Sequence, residues 1–391
     1  MFTGKIPSLN GWRAIAITLV MLDHIKYAAG FPYQRLPEWS LVFFDQGNLG
    51  VRIFFVLSGF LITHLLLEEA EQSGFISLKN FYIRRCLRIL PVYFTYLGVL
   101  ACLIGLNLYG SETRSAWIGA LTFSRNMIGP DASYTGHFWS LAVEEQFYLT
   151  WPICLGVLAL WRRSQLAFGV LATLMVLSPV VRALGFTPEE NREFYGRVLG
   201  GRSVLIYIDS LAVGCLGAFL IRRLSVHLTQ KTALIVFVVA LATIALGAWG
   251  DEIYMDKRIA SAFIPSMQAV AVLIAMWVST QRQCFIAYNI LNWPPINILG
   301  ILSYSIYIWH VLFLSNATGS FLYTFLYNWH TYCIVSLIAA TLSYCCVERP
   351  ALNLKKRFSV NRKTSVSRQK ANMPAGGEGI IPESIKNRLE E

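Results

Sequence analysis

Arg13 and His24 stand eleven residues apart in a mainly apolar stretch, with Ala14 to Leu22 between them. At about 100° per residue, eleven steps make three turns plus roughly 20°. On a helix the two side chains therefore share a face, about 16 Å apart along the axis. Asp23 and Lys26 flank His24. Ionisable groups at membrane depth normally face a protein interior or a wet cavity, where they bind substrates or relay protons. The bland alternative is a helix that starts late, with His24 near its far interface.

A second cluster is Arg84, Arg85 and Arg88 in FYIRRCLRILP. Residues three and four apart share a helix face, so Arg88 forks with Arg84 or with Arg85. Guanidinium matches phosphate bidentately, which makes the fork a candidate clamp for a phosphorylated cytosolic molecule. The same arginines also read as an ordinary topology signal. In the run Trp139 to Tyr148, Ser140, Glu144 and Tyr148 recur at i, i+4 and i+8. The adjacent carboxylates of Glu144 and Glu145 are costly in lipid unless solvated at the outer interface. His137, just outside, reads as a surface histidine, with a place in a wet vestibule as the alternative.

In GVRIFFVLSGFLIT, beginning at Gly50, Arg52 enters the membrane or snorkels to its edge. Ser58 and Gly59 make a small patch that lets helices approach closely. Tyr344 and Glu348 share a face at i+4, and Pro350 is expected to end their helix. His310, Tyr344 and Glu348 are either bracing at span ends or parts of a site wall.

The elements that must position these residues are membrane helices. The chain has 391 residues, of which 55% are hydrophobic and 14% charged, against about a quarter charged in soluble domains. Apolar runs near spanning length fall at 12–30, 49–67, 89–108, 139–160, 166–185, 203–221, 232–250, 261–280, 296–315 and 331–347. The fold class is therefore all-α, a polytopic bundle of about ten spans. A short apolar piece at 115–128 reads as re-entrant or interfacial. No cleavable signal is expected, because the first run is too long and no small-residue cleavage site follows it. The cysteines show no CxxC spacing, so neither a disulfide framework nor a metal site is expected.

Charge in the connections sets an orientation. One alternating set carries Lys79 with the three arginines, then Arg162 and Arg163, then Arg222, Arg223 and Lys231, then Arg282. The other set is mixed: Arg35 with Glu38 and Asp45; Glu189, Glu190 and Glu193 among Arg192 and Arg197; Asp251, Glu252 and Asp256 beside Lys257 and Arg258. The positive-inside rule then puts both termini in the cytoplasm. The same rule accounts for the net charge of +11 without nucleic acid. Residues 1–352 form the membrane domain, and 353–391 read as a basic, disordered cytoplasmic tail. No internal repeat is seen, which argues against an inverted-repeat transporter.

The motifs in this order resemble acyltransferase family 3, membrane proteins that acylate sugars of surface polysaccharides, O-antigens, Nod factors and some macrolides. The resemblance covers about residues 7–352. It rests on Arg13 with His24, on GVRIFFVLSGFLI, on Arg85 with Arg88, on SLAVEEQFY from Ser140, on SYSIYIWH, and on Tyr344 with Glu348 and Pro350. It implies a multi-pass protein of the bacterial cytoplasmic membrane and no bound cofactor. The donor substrate would be a cytosolic acyl-CoA, most often acetyl-CoA, and the acceptor a carbohydrate or lipid-linked sugar. The donor's phosphates would meet Arg84, Arg85, Arg88 and Arg13. His24 would act as general base or become acylated itself. Glu144 or Glu145 is expected to orient it, with Glu144 favoured by the family pattern; Asp23 is not, because adjacent helical residues diverge by about 100°. Arg52, Ser58, Ser140, Tyr148, His310, Tyr344 and Glu348 would line the site. Some relatives append an SGNH-type hydrolase-like domain, and no such second centre is expected in this chain. A proton-coupled transporter is the alternative, since buried Asp, His and Glu also suit proton relays.

Overall fold

The computed structural model describes residues 6–28, 30–128, 134–185, 202–223, 228–249, 257–314, 329–355 and 358. Among them there are helices and no strands. In chain order the helices are α1 (Leu9–Ile25), α2 (Glu38–Phe44), α3 (Gly47–Ser73), α4 (Leu78–Gly105), α5 (Arg114–Leu121), α6 (Phe138–Val157) and α7 (Ser164–Gly185). Then come α8 (Val204–Arg223), α9 (Gln230–Ala248), α10 (Lys257–Ser279), α11 (Phe285–Asn292), α12 (Pro294–Trp309), α13 (Trp329–Ser343) and α14 (Arg349–Lys355).

Each of the ten apolar runs overlaps a helix of this set. Among the described residues, eight helical stretches are long and apolar enough to cross a membrane. The two runs outside that group are α1, which has 17 residues, and α6, which carries Glu144 and Glu145. The chain is a multi-pass membrane protein. The piece at 115–128 overlaps the eight-residue α5, which begins at Arg114. Local signals place several helix ends. Ser77 caps α4 by accepting from the Asn80 amide at 3.4 Å, and Pro294 opens α12, where no amide donor is needed.

Small residues set how closely the helices pack. Gly59 of α3 faces the Leu211 carbonyl of α8, and Gly214 of α8 faces the Val56 carbonyl and Phe60 amide of α3. A side chain at either position would overlap the partner's main chain, so this crossing is backbone against backbone. Helix α1 packs on both α3 and α12. This places the stripe that begins at Arg13 in the middle of the molecule.

Several expectations change. The first helix stops at Ile25 rather than near residue 30, so His24 lies in its last turn. Arg52 is buried and bonds to Gln268 of α10. It lines neither of the cavities described below, because its position on α3 faces α10. Nearby, Arg182 of α7 pairs with Asp209 of α8 at 2.8 Å and also bonds Ser266 of α10. The segment Tyr344–Glu348 is a π-turn. Its i→i+5 pattern breaks the shared face expected at i+4, and Tyr344 lines neither cavity. Pro350 does not end the helix of Tyr344 and Glu348 but sits in the first turn of α14, where proline is tolerated. The helix accordingly continues past 352 to Lys355. The rest of the basic tail, apart from Phe358, lies outside the described residues. So do Glu189, Glu190, Arg192, Glu193, Arg197, Asp251, Glu252 and Asp256 of the connections.

Candidate active site

Two cavities lie along α1. The first, of about 520 Å³, is lined by Arg13 of α1, by Arg84, Arg85 and Arg88 of α4, and by Lys355 of α14. The four arginines named from sequence thus converge, and Lys355 is a fifth cation that sequence reasoning missed. It sits in a basic run, Lys355 to Arg357, that reads as the start of a solvated tail. The cations are not equivalent. Arg84 is committed: its Nη2 bonds Glu69 Oε2 at 2.7 Å and its Nη1 bonds the Phe358 carbonyl at 3.0 Å. Arg85 lies over the Tyr148 ring, 4.4 Å from its centroid, a cation–π contact that aims the guanidinium. Arg13 takes the Asn10 side-chain oxygen at 3.1 Å.

Ser58, Ser140, Glu144 and Tyr148 line this same cavity. Tyr148 donates to Ser58 at 2.8 Å, and Ser58 donates to Glu144 Oε1 at 2.6 Å. Glu144 and Tyr148 of α6 are therefore joined through Ser58 of α3, while Ser140 on the same face bonds the Tyr307 hydroxyl at 2.6 Å. Glu348 is buried and accepts from Ser305 Oγ at 2.7 Å, but it is not on the cavity wall.

The second cavity, of about 800 Å³, is lined by Asp23 and His24 of α1, and by His137, Trp139, Arg202 and Tyr207. His24 Nδ1 lies 2.9 Å from the Val20 carbonyl. A carbonyl only accepts, so Nδ1 carries the proton and Nε2 keeps its lone pair. That tautomer suits a base or a nucleophile. Asp23 Oδ2 is 3.9 Å from the same nitrogen, beyond hydrogen-bond reach, and Lys26 holds this carboxylate at 2.9 Å and Asp45 at 2.7 Å. A main-chain carbonyl, rather than a carboxylate, orients His24.

His310 meets His24 edge to face, with ring centroids 4.8 Å apart, and His137 stands 5.3 Å from His310. His310 Nδ1 donates to the Tyr307 carbonyl at 2.7 Å and His137 Nε2 to the Ile308 carbonyl at 3.2 Å. The remaining nitrogens, His310 Nε2 and His137 Nδ1, are buried without a partner among the described residues. His137 is thus not a surface histidine but 6% exposed and part of a three-imidazole cluster. Its position beside α12 carries no one-dimensional signal.

Glu144 does not meet His24. The two line different cavities. Helix α6 runs opposite to α1: Trp139 is in the histidine cavity, while Ser140, Glu144 and Tyr148 lie in the arginine cavity. Four residues past Ser140 carry Glu144 about 6 Å toward the arginine end. Glu145 lines neither cavity, and its Oε1 is buried without a partner among the described residues. The cavities adjoin at Val51 of α3 and Tyr307 of α12, which line both. Such an arrangement can hold a polyanion at one end and present an acceptor to an imidazole at the other.

The comparisons with known proteins agree in kind. Over 88% of its length the chain is 29% identical to YrhL of Bacillus subtilis, named a putative peptidoglycan O-acetyltransferase, and matches 54% of that protein. Over 88% it is 28% identical to the peptidoglycan O-acetyltransferase OatA of Listeria monocytogenes, matching 55% of it. A putative O-acetyltransferase of Staphylococcus aureus is 32% identical over 49% of the chain and 32% of its own length. The chain thus spans about half the length of the first two relatives. No solved structure matches it. The family model described as an acyltransferase domain matches residues 6–348, from the approach to α1 through the π-turn and so across both cavities, and the chain belongs to acyltransferase family 3.

Proposed function

We propose that the chain is an integral-membrane O-acyltransferase that moves an acetyl group from a cytosolic acyl-CoA to a hydroxyl of a surface carbohydrate. Its place is the bacterial cytoplasmic membrane, with the arginine cavity open to the cytoplasm, both termini there, and the histidine cavity on the outer side. The observation that carries this reading is the pair of adjoining cavities on α1, one with five cations and one with His24. Phosphates of the donor pair with Arg13, Arg85, Arg88 and Lys355, since guanidinium and ammonium groups recognise phosphate as charged donors. The thioester arm extends toward His24. The acceptor hydroxyl gives its proton to His24 Nε2 as its oxygen attacks the thioester carbonyl; the C–S bond then breaks, and the departing thiolate takes that proton. Asn48, Trp139 and Tyr207 in the outer cavity offer the mixed amide and aromatic wall that a sugar needs. Peptidoglycan, the acceptor in the relatives' names, is the first acceptor proposed.

The test is acetyl transfer by the purified protein in proteoliposomes, with labelled acetyl-CoA outside and peptidoglycan fragments inside or outside. Transfer by the wild type, lost in His24→Ala and weakened through KM in Arg88→Ala, is expected. Transfer that persists in both variants would overturn the reading.

A further inference from the structure

The two cavities do not merge freely; they touch where Val51 and Tyr307 line both. We propose that Val51 and Tyr307 form a rigid passage that restricts the donor to short acyl groups. The inference rests on the function proposed above: an acyl group held from the arginine end must pass these two side chains to reach His24.

Neither wall can step aside cheaply. The Tyr307 hydroxyl accepts from Ser140 Oγ at 2.6 Å and donates to the His137 carbonyl at 2.7 Å. Both bonds are buried, so breaking one would strand a polar group. The ring also packs edge to face against Phe54, with centroids 6.3 Å apart. On the other side, Val51 follows Gly50, where an added Cβ would lie 2.6 Å from the Ala16 carbonyl of α1. Helices α3 and α1 are in main-chain contact there, so Val51 has no room to retreat toward α1. Valine is β-branched and stiff at χ1, which removes the remaining freedom. Val51 and Tyr307 are each 6% exposed, in a close-packed setting. A fixed apolar gap separates substrates that differ by one methylene by about 10- to 200-fold.

Purified protein in proteoliposomes is given acetyl-, propionyl- and butyryl-CoA with peptidoglycan fragments, and acylated product is measured for each. The wild type is expected to favour acetyl over butyryl by about tenfold or more in kcat/KM. Val51→Ala is expected to raise the butyryl-to-acetyl ratio by about tenfold, and Val51→Leu to lower the propionyl-to-acetyl ratio. The opposed directions keep the test decisive when one variant does not fold. A wild type that uses acetyl and butyryl groups equally overturns the passage. So does a folded Val51 variant whose chain-length profile matches the wild type, and in both of those cases the donor assignment stands. A wild type that accepts no acyl-CoA at all overturns the donor assignment itself.

Discussion

Glu69→Gln offers a perturbation whose sign is set by the structure. Glu69 Oε2 ties up Arg84 at 2.7 Å, while its Oε1 accepts the Ser77 amide at 3.1 Å. The glutamine carbonyl can keep the Ser77 bond, so the connection between α3 and α4 survives. What is lost is the ion pair, and Arg84 is released on the wall of the arginine cavity, where one negative charge has also been removed. A hydrogen bond from a charged donor is worth about 1.5–3 kcal/mol at best. Arg84 retains its bond to the Phe358 carbonyl, and Glu68 also lines this cavity. A net gain of about 1 kcal/mol for phosphate is therefore expected, roughly fivefold in KM. Glu69 lies eighteen residues from Val51 on α3, about 27 Å along the axis, so kcat should stay within about twofold. The assay is the acetyl-CoA dependence of transfer at low and high salt. Screening should shrink the gain at about 1 M salt, where the Debye length falls to about 3 Å. A folded Glu69→Gln protein with an unchanged or raised KM would refute the assignment of this cavity to phosphate.

Three further outcomes follow from the same geometry. His24→Ala should abolish transfer yet leave acetyl-CoA affinity within about twofold by calorimetry, because His24 lies outside the arginine cavity; a tenfold loss of affinity, about 1.4 kcal/mol, would contradict the two-cavity division. Arg182→Met should cost about 3–5 kcal/mol, since it leaves Asp209 buried without its cation, and an unchanged Tm in detergent would refute that. Gly59→Ala should lower stability by about 1–3 kcal/mol through overlap with the Leu211 carbonyl. Gly98→Ala, where an added Cβ meets nothing within 4 Å, should not.

Much of the site is legible in one dimension. The eleven-residue spacing puts Arg13 and His24 on one stripe of α1, and the stripe does run along both cavities. The fork of Arg85 and Arg88 does face the cavity that Arg13 lines. The face of Ser140, Glu144 and Tyr148 is one face, as i, i+4 spacing requires. Spacing names a face but not the neighbour it meets. The family pattern favours Glu144 beside His24, yet the reversed direction of α6 and its Ser58 partner hold it at the arginine end. Tyr344 and Glu348 show the converse failure, where a π-turn undoes the spacing argument itself.

Apolar run lengths, charge spacing and motif order are properties of neighbouring residues. From them alone the sequence determines an all-α membrane protein, a face shared by Arg13 and His24, an arginine fork, and the candidacy of His24. The tertiary structure alone decides that Arg13, the fork and Lys355 converge, and that His310 packs against His24 with His137 beside it. It alone decides that Arg84 is already paired, and that Val51 and Tyr307 separate the cavities. The physical reason is that each of these depends on which helices pack. Residues as distant as Val51 and Tyr307 become neighbours only when glycine crossings and buried hydrogen bonds hold α1, α3 and α12 together.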